Sequence, residues 1–253
     1  ERPQDVGLWR EAWPKRDGTE GCNPLVVLRQ VRKVSGGGSK RHQAAPASLR
    51  ARKLPCREHS AAILIQAPAQ PQKAMFVACV KGDVDALRLL LDQGAVVDRA
   101  DKNGVTPLLV ACLNGHVDAA RLLLDKGADV DRADEDGGTP LLIACQQGHV
   151  DAARLLLDNG AEVDRATEDG WTPLLVACWK GHIDAARRLL EKGAEVDRAE
   201  KDGMTPLYIA CQEGHVDVVR LLLNKGADVD RATLNGVTPL SMAEYLGHSA
   251  IVA

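Results

Sequence analysis

The sequence predicts an all-α solenoid, a linear stack of 33-residue helix pairs, and three observations lead to this prediction. A Thr-Pro-Leu motif recurs at a constant interval of 33 residues, and a fixed period in this range is typical of stacked units rather than of a globular core. Apolar residues follow each motif with helical spacing. The chain has one Phe and two Tyr among 253 residues, so Ala, Leu and Val must fill the core. The motif begins at Thr106, Thr139, Thr172, Thr205 and Thr238.

The unit at residues 170–202 shows how each first helix is specified. The Thr172 hydroxyl is suited to cap the backbone N–H groups of the first turn, and Pro173 stands where its missing N–H is tolerated. Gly181 ends the helix at a position suited to a left-handed residue. The apolar residues between these limits are Leu174, Leu175, Ala177 and Cys178. Their spacing predicts a helix of about two turns with one buried face.

The second helix of the unit follows His182. Asp184 lies in its first turn, where a carboxylate stabilises the positive end of a helix, and Leu189 and Leu190 form the buried side. Gly193 ends this helix. Residues 195–203 then form the turn into the next unit.

The order of motifs in each unit is Gly-x-Thr-Pro-Leu, then Ala-Cys-x-x-Gly-His, then Leu-Leu-x-x-Gly-Ala. This pattern resembles the ankyrin repeat, which implies stacked helix-turn-helix-hairpin modules. Four copies are complete, over residues 104–136, 137–169, 170–202 and 203–235. Residues 73–103 form a diverged first repeat without Thr-Pro, and residues 236–253 form an incomplete last repeat. The family usually has His after Thr-Pro-Leu, whereas this chain has Leu109, Leu142, Leu175, Tyr208 and Ser241. Apolar residues at this position are expected to pack instead of forming the hydrogen bond of that His.

Residues 1–72 lack the repeat and are predicted to be a basic, disordered tail, because Gly and Ser clusters such as residues 35–39 favour flexible coil. The tail has 13 Lys and Arg against 6 Asp and Glu, a net of +7, and the remainder has 19 against 29, a net of −10. Between Glu20 and Glu58 there are nine basic and no acidic residues. Such a run attracts nucleic acid, acidic lipid or a targeting receptor, or it is simply solvated.

Five cysteines recur at one position of successive units, which indicates packing rather than chemistry. Equivalent atoms of stacked repeats in this family lie about 10 Å apart, beyond the separation of about 7 Å that a disulfide tolerates. A row of unpaired thiols favours a reducing compartment, so we predict an intracellular, cytoplasmic protein, with organelle targeting by the basic tail as an alternative. The recurring cysteines are Cys79, Cys112, Cys145, Cys178 and Cys211.

The Cys-x-x-x-His spacing, as in Cys112 and His116, does not predict a zinc site, because a ladder with this period spreads the ligands instead of converging four of them. The five recurring histidines are expected to bridge backbone groups where two helices join, and the recurring Asp-Arg pairs to stabilise the loops. Asp129, Asp131, Asp134 and Asp136 lack the spacing of a calcium loop. We therefore predict neither metal, cofactor nor catalytic group.

The units differ most from one another at the turn tips and just before Gly-His. The resemblance implies that these places line the concave groove in which the family holds protein partners. Trp171 and Trp179, about 10 Å apart along the helix, are predicted as partner anchors; the competing interpretation is that each ring packs on its neighbour and stabilises the stack. The predicted partner-binding residues are Lys102, Asn103, Val105, Leu113, Asn114, Gln146, Gln147, Glu168, Asp169, Trp171, Trp179, Lys180, Lys201, Met204, Gln212 and Glu213.

These observations predict a monomeric, non-catalytic module that docks another protein in the groove. One alternative is the ankyrin segment of a larger enzyme or channel, which the start at Glu1 and the incomplete last repeat favour and which a further domain in the full-length transcript would establish. A second is binding of nucleic acid or a targeting receptor through the tail. Salt-sensitive retention on an RNA or DNA column would support the nucleic-acid alternative. No run approaches the roughly 18 apolar residues that cross a bilayer, and none near residue 1 is typical of a secretion signal.

Overall fold

The computed structural model describes residues 71–252, which form six successive helix pairs. The first helices are α1 (Pro71–Lys81), α3 (Pro107–Leu113), α5 (Pro140–Gln147), α7 (Pro173–Lys180), α9 (Pro206–Glu213) and α11 (Pro239–Leu246). The second helices are α2 (Val84–Asp92), α4 (Val117–Asp125), α6 (Val150–Asp158), α8 (Ile183–Glu191), α10 (Val216–Asn224) and α12 (Ser249–Val252). Each first helix packs on the next first helix, and each second helix on the next second helix. The predicted all-α solenoid is confirmed for the described residues.

We number the repeats 1 to 6, over residues 71–103, 104–136, 137–169, 170–202, 203–235 and 236–252. Helix α1 begins at Pro71, two residues before the predicted start of the array at Lys73. The remainder of the predicted tail, residues 1–70, lies outside the described residues, as do the predictions that concern it. Ala253 lies outside them as well.

The limits of the first helices follow the sequence signals. In repeat 4 the Thr172 hydroxyl accepts a hydrogen bond from the N–H of Leu175, and Pro173 is the first residue of α7. The helix ends at Gly181, which has a φ of 72°. The predicted cap, the two-turn length and the left-handed glycine are all confirmed.

One continuous apolar core runs through the stack, from Met75 in repeat 1 to Ala243 in repeat 6. Fully buried alanine pairs, such as Ala152 and Ala153, let successive second helices approach closely, and the recurring cysteines are buried as free thiols among the first helices. Leu109, Leu142, Leu175 and Tyr208 are buried too, so these departures from the family pattern do pack. Ser241 instead forms a capping box with Thr238.

The recurring histidines join neighbouring repeats. Each imidazole Nε2 lies within hydrogen-bond distance of the carbonyl oxygen 36 residues earlier, near the end of the preceding first helix. His215, for example, lies 3.1 Å from the Trp179 oxygen. Because a carbonyl only accepts, Nε2 is the donor. The prediction that these rings contact the backbone is confirmed, but the contact that the structure shows for each ring is a single carbonyl of the preceding repeat, so each ring links two repeats.

A second set of bonds between repeats comes from the aspartates of the recurring Asp-Arg pairs. In the first four of these pairs the carboxylate accepts the backbone N–H group 31 residues later, in the turn of the next repeat. Asp164, for example, accepts from Glu195 at 3.0 Å. The predicted role in stabilising the loops is therefore confirmed for the aspartates Asp98, Asp131, Asp164 and Asp197.

Candidate partner-binding surface

The turn tips between repeats are held by one residue of each turn, whose side chain accepts backbone N–H groups of the same tip. Asp134 accepts from Asp136 at 3.2 Å and from Gly138 at 2.7 Å, and Thr167 accepts from Trp171 at 3.2 Å. The equivalent residues of repeats 1, 4 and 5 are Asp101, Glu200 and Thr233. Sequence reasoning missed this role. Its signal was that every residue at this position, whether Asp, Thr or Glu, has an acceptor oxygen.

Neighbouring tips are also joined through the backbone. The N–H of Glu135 donates to the oxygen of Asn103, that of Lys201 to Asp169, and that of Leu234 to Asp202. These bonds are 3.0 to 3.2 Å long. They fix the backbones of these neighbouring tips relative to each other.

Burial raises the pKa of the Asp134 carboxyl to about 6, and the negative charges of Asp136 and Asp101 act in the same direction. The N–H groups of Gly138 and Asp136 oppose this shift. In the unfolded chain the pKa of an aspartate is about 3.9. The folded state therefore binds the proton more tightly, and the free energy of unfolding decreases as the pH rises from about 4 through about 6.

We expect Asp134→Thr, which places the acceptor of Thr167 in this tip, to remove that pH dependence. The difference in the free energy of unfolding, variant minus unmodified chain, should increase by about 1 kcal/mol from pH 4 to pH 7. This value includes a reduction for solvent screening. Urea unfolding at both pH values measures it. Glu135→Thr, which removes an exposed carboxylate of the same tip, is the control. An equal pH response in the two variants would contradict the role of Asp134.

The structure places most of the predicted partner-binding residues on the surface and three of them in the interior. Val105, Leu113 and Gln146 are 7%, 5% and 4% exposed, so their prediction as surface positions was wrong. Val105 and Leu113 belong to the core, and the carbonyls of Leu113 and Gln146 are covered by the histidines of the next repeats. The residues that are half-buried or exposed are Lys102, Asn103, Asn114, Gln147, Glu168, Asp169, Trp171, Trp179, Lys180, Lys201, Met204, Gln212 and Glu213.

Trp171 and Trp179 form a direct edge-to-face pair. Their ring centroids are 6.0 Å apart, with an angle of 62° between the planes. The separation of about 10 Å that the helix rise predicted was therefore wrong for the rings. Trp171 belongs to the turn before α7 and Trp179 to the end of α7, and the two side chains converge from these points. Such pairs contribute about 0.5–1.5 kcal/mol beyond the area that they bury.

The two indoles pack against a small apolar cluster beside the main core, and Trp171 packs against the main core as well. Its floor is Leu175, Tyr208 and Ile209, all buried. Half-buried side chains pack over this floor. These residues, which we call the aromatic patch, are Trp171, Trp179, Met204, Val237 and Met242. The patch thus joins repeats 4, 5 and 6.

A cation lies on the patch. The Lys180 Nζ is 3.5 Å from the centroid of the Trp179 ring, a cation–π contact. Burial lowers the pKa of the Lys180 ammonium, and the charge of Glu213 opposes this shift. The patch therefore accepts a positive group at contact distance, with a carboxylate nearby.

Carboxylates stand on the tips and helix end around the aromatic patch. We call them the acidic rim, which consists of the exposed residues Glu168, Asp169, Asp202 and Glu213. Lys201 lies 3.4 Å from Asp169 in an exposed ion pair. Burial raises the pKa of the Glu200 carboxyl, and the charges of Asp202 and Asp169 add to the effect. The rim has four exposed acidic residues against the two lysines, Lys180 and Lys201, so this surface is negative.

The residue types that commonly form nucleophiles or metal sites are used in packing. Burial raises the pKa of the thiols, to about 12 for Cys145 and to about 11 for Cys211. Among residues 71–252 no group of three or more His, Cys, Asp or Glu residues is arranged to hold a metal ion. Over the same range every helix is too short or too polar to cross a membrane.

Comparison with known proteins adds the family. A family model described as ankyrin repeats in three copies matches residues 54–134 and 130–200. Another, described as ankyrin repeats in many copies, matches residues 180–223 and 209–252. No curated protein matches the chain. Since the matches extend from residue 54 to residue 252 and agree with the stacked helix pairs, the chain belongs to the ankyrin repeat family, whose members are generally protein–protein interaction modules and typically non-catalytic.

Proposed function

We propose that this protein is a non-catalytic interaction module that binds another protein in the groove along its turn tips and first helices, with the aromatic patch as anchor. The observation that supports the proposal is the Trp171–Trp179 pair. Sister repeats have Val105, Gly138, Met204 or Val237 where Trp171 stands, and Leu113, Gln146, Gln212 or Tyr245 where Trp179 stands. The fold therefore forms without tryptophan at either position.

Half-buried tryptophans also suit an anchor energetically. Trp is enriched among interface residues whose truncation lowers the binding free energy by about 2 kcal/mol or more. The buried floor of Leu175, Tyr208 and Ile209 holds both rings in place before a partner arrives, so little side-chain entropy remains to be lost. A rigid apolar centre with a charged rim is the usual anatomy of a protein interface.

The proposal also rests on how the potential catalytic groups are used. The five cysteines of the array are buried with raised pKa values, and the five histidines there donate to backbone carbonyls. A nucleophile and base would need to be exposed and to contact each other. The described residues offer a binding surface and no such pair.

The double substitution Trp171→Val and Trp179→Gln tests this function with residues that the chain already uses at these positions. Proteins captured from a lysate by the full chain are identified, and the affinity of the purified partner is then measured for both forms. We expect the substitutions to weaken binding about thirtyfold or more. The melting temperature should fall by no more than about 8 °C, since sister repeats fold with these residues.

The matched control is Leu124→Ala, which removes a half-buried side chain on the second-helix side of repeat 2, away from the patch. It should lower stability and leave the partner's affinity unchanged. If the tryptophan variant lost stability to a similar extent and bound its partner normally, the rings would be structural and the anchor assignment would be wrong.

A further inference from the structure

The aromatic patch has the chemistry of a receptor for cationic side chains. The ammonium group of Lys180 already rests 3.5 Å from the centre of the Trp179 ring, and Trp171 meets that ring edge to face. A cation against an indole is attracted by the negative charge of the ring face, and arginine forms such contacts more often than lysine. A positively charged side chain is therefore one kind of group that suits the patch.

The acidic rim reinforces this preference. Asp169 and Asp202 lie on neighbouring tips whose backbones are hydrogen-bonded through Asp169 to Lys201. Glu213 acts on the charge of Lys180 at the end of the patch. Because arginine binds carboxylates through two parallel hydrogen bonds and also stacks on aromatic rings, a segment with several arginines complements both the rim and the patch.

This chain contains such a segment. We define the basic segment as Arg29–Arg57, which has nine Lys and Arg and no Asp or Glu. Residues 58–70 connect it to α1 and, fully extended, span up to about 45 Å. From α1 to α7 there are three packing steps between first helices, about 24–30 Å at 8–10 Å each. The segment can therefore reach the patch of its own chain.

We infer that the basic segment binds in cis over the aromatic patch, with its arginine and lysine side chains on the indoles and paired with the acidic rim. The inference rests on the proposed function, because it assigns an intramolecular occupant to the same surface. Because the segment and the patch belong to one chain, this binding needs no second molecule and does not depend on protein concentration. A protein partner then has to displace the segment, and its apparent affinity is lowered by the fraction of open molecules.

The two cysteines near the ends of the segment, Cys22 and Cys56, allow a direct test in the full chain. The array thiols are buried with raised pKa values, so they react slowly with the thiol-reactive bimane that is used to label Cys22 or Cys56. Tryptophan quenches bimane on contact. Two proteins are prepared in a Trp9→Phe, Trp13→Phe background, one with Cys22→Ser and one with Cys56→Ser, so that each has one label and only the patch tryptophans.

We expect the fluorescence of at least one labelled protein to be quenched about twofold or more at low salt, and to recover in about 0.5 M NaCl, where charges are screened within a few ångströms. Quenching should not change over about a hundredfold range of protein concentration, since the contact is intramolecular. Trp171→Val with Trp179→Gln should abolish it. Lack of quenching in both proteins, or quenching that increases with concentration and so reports a second copy, would overturn the inference.

A second variant leaves the quenchers in place. Asp169→Asn, Asp202→Asn and Glu213→Gln together neutralise three exposed carboxylates of the rim, and the tryptophans remain. Fluorescence should recover here as well, and unchanged quenching would contradict the role of the rim. No partner is present in either measurement. If the segment does not bind but partner binding still depends on the tryptophans, only the inference of binding in cis is wrong. If the segment binds but partner binding does not depend on the tryptophans, only the proposed function is wrong.

Discussion

Gly181→Ala is expected to lower the free energy of unfolding by about 3 kcal/mol, for two separate reasons. Gly181 has a φ of 72°, where a residue with a Cβ atom is strained by about 1–2 kcal/mol. A Cβ atom built there would also lie 2.7 Å from Nδ1 and Cε1 of His215 in the next repeat. The ring would have to move, and its hydrogen bond to the oxygen of Trp179 would be weakened.

Gly193→Ala is the matched control for this prediction. Gly193 has a φ of 91°, so alanine is strained there too, but no atom lies within 4 Å of the added Cβ. We expect this variant to lose about 1 kcal/mol. Urea unfolding of both variants separates backbone strain from the contact between repeats. Equal losses would show that His215 moves aside without affecting stability.

The array thiols should react with a maleimide about a thousandfold more slowly in the native protein than in urea. A pKa of about 12, as for Cys145, leaves about one thiolate in ten thousand at pH 8, whereas an ordinary cysteine has about one in four. Burial of all five side chains slows access further. Reaction therefore requires a repeat to open.

The order of labelling reports where the stack opens. The pKa of Cys211 rises only to about 11, and Leu223 in the same repeat is 42% exposed. Because each repeat contacts only its neighbours, we expect Cys211 to react first and the central Cys145 and Cys178 last. Peptide mass spectrometry of a Cys22→Ser, Cys56→Ser protein locates the label at each time point. Equal rates at all five thiols would indicate that the array opens as a single unit.

The features that could be predicted from the sequence depend on neighbours within one turn of helix. The Thr172 cap reaches the N–H three residues later, and the end of α7 needs only a glycine at Gly181. The period then repeats these signals, so the helices and their order follow without knowledge of the packing. Asp134 shows the same local logic, because its acceptor role spans four residues.

Contacts between repeats could not be predicted in this way. The sequence indicated that His215 bridges backbone groups, but the identity of the oxygen, that of Trp179, depends on how one repeat is rotated against the next. The prediction of the partner-binding surface was partly wrong for the same reason. The prediction equates variation between units with exposure, yet the position of Gln146 varies among the repeats and Gln146 is 4% exposed. Burial in a stack depends on the neighbouring repeat, which a comparison of single units does not include.

The bonds that join neighbouring repeats have constant offsets in sequence. They are 36 residues for the histidines, as from His182 to Gln146, and 31 for the aspartates, as from Asp164 to Glu195. Removing or duplicating 33 residues leaves these sequence offsets unchanged, so each group still meets an equivalent partner. Inserting one residue between Gln146 and His182 changes their offset and breaks that bond. Recombination between the repeated gene segments can therefore lengthen or shorten the array in whole units and preserve every junction. The number of repeats is thus free to vary in evolution, while the length of each repeat is fixed.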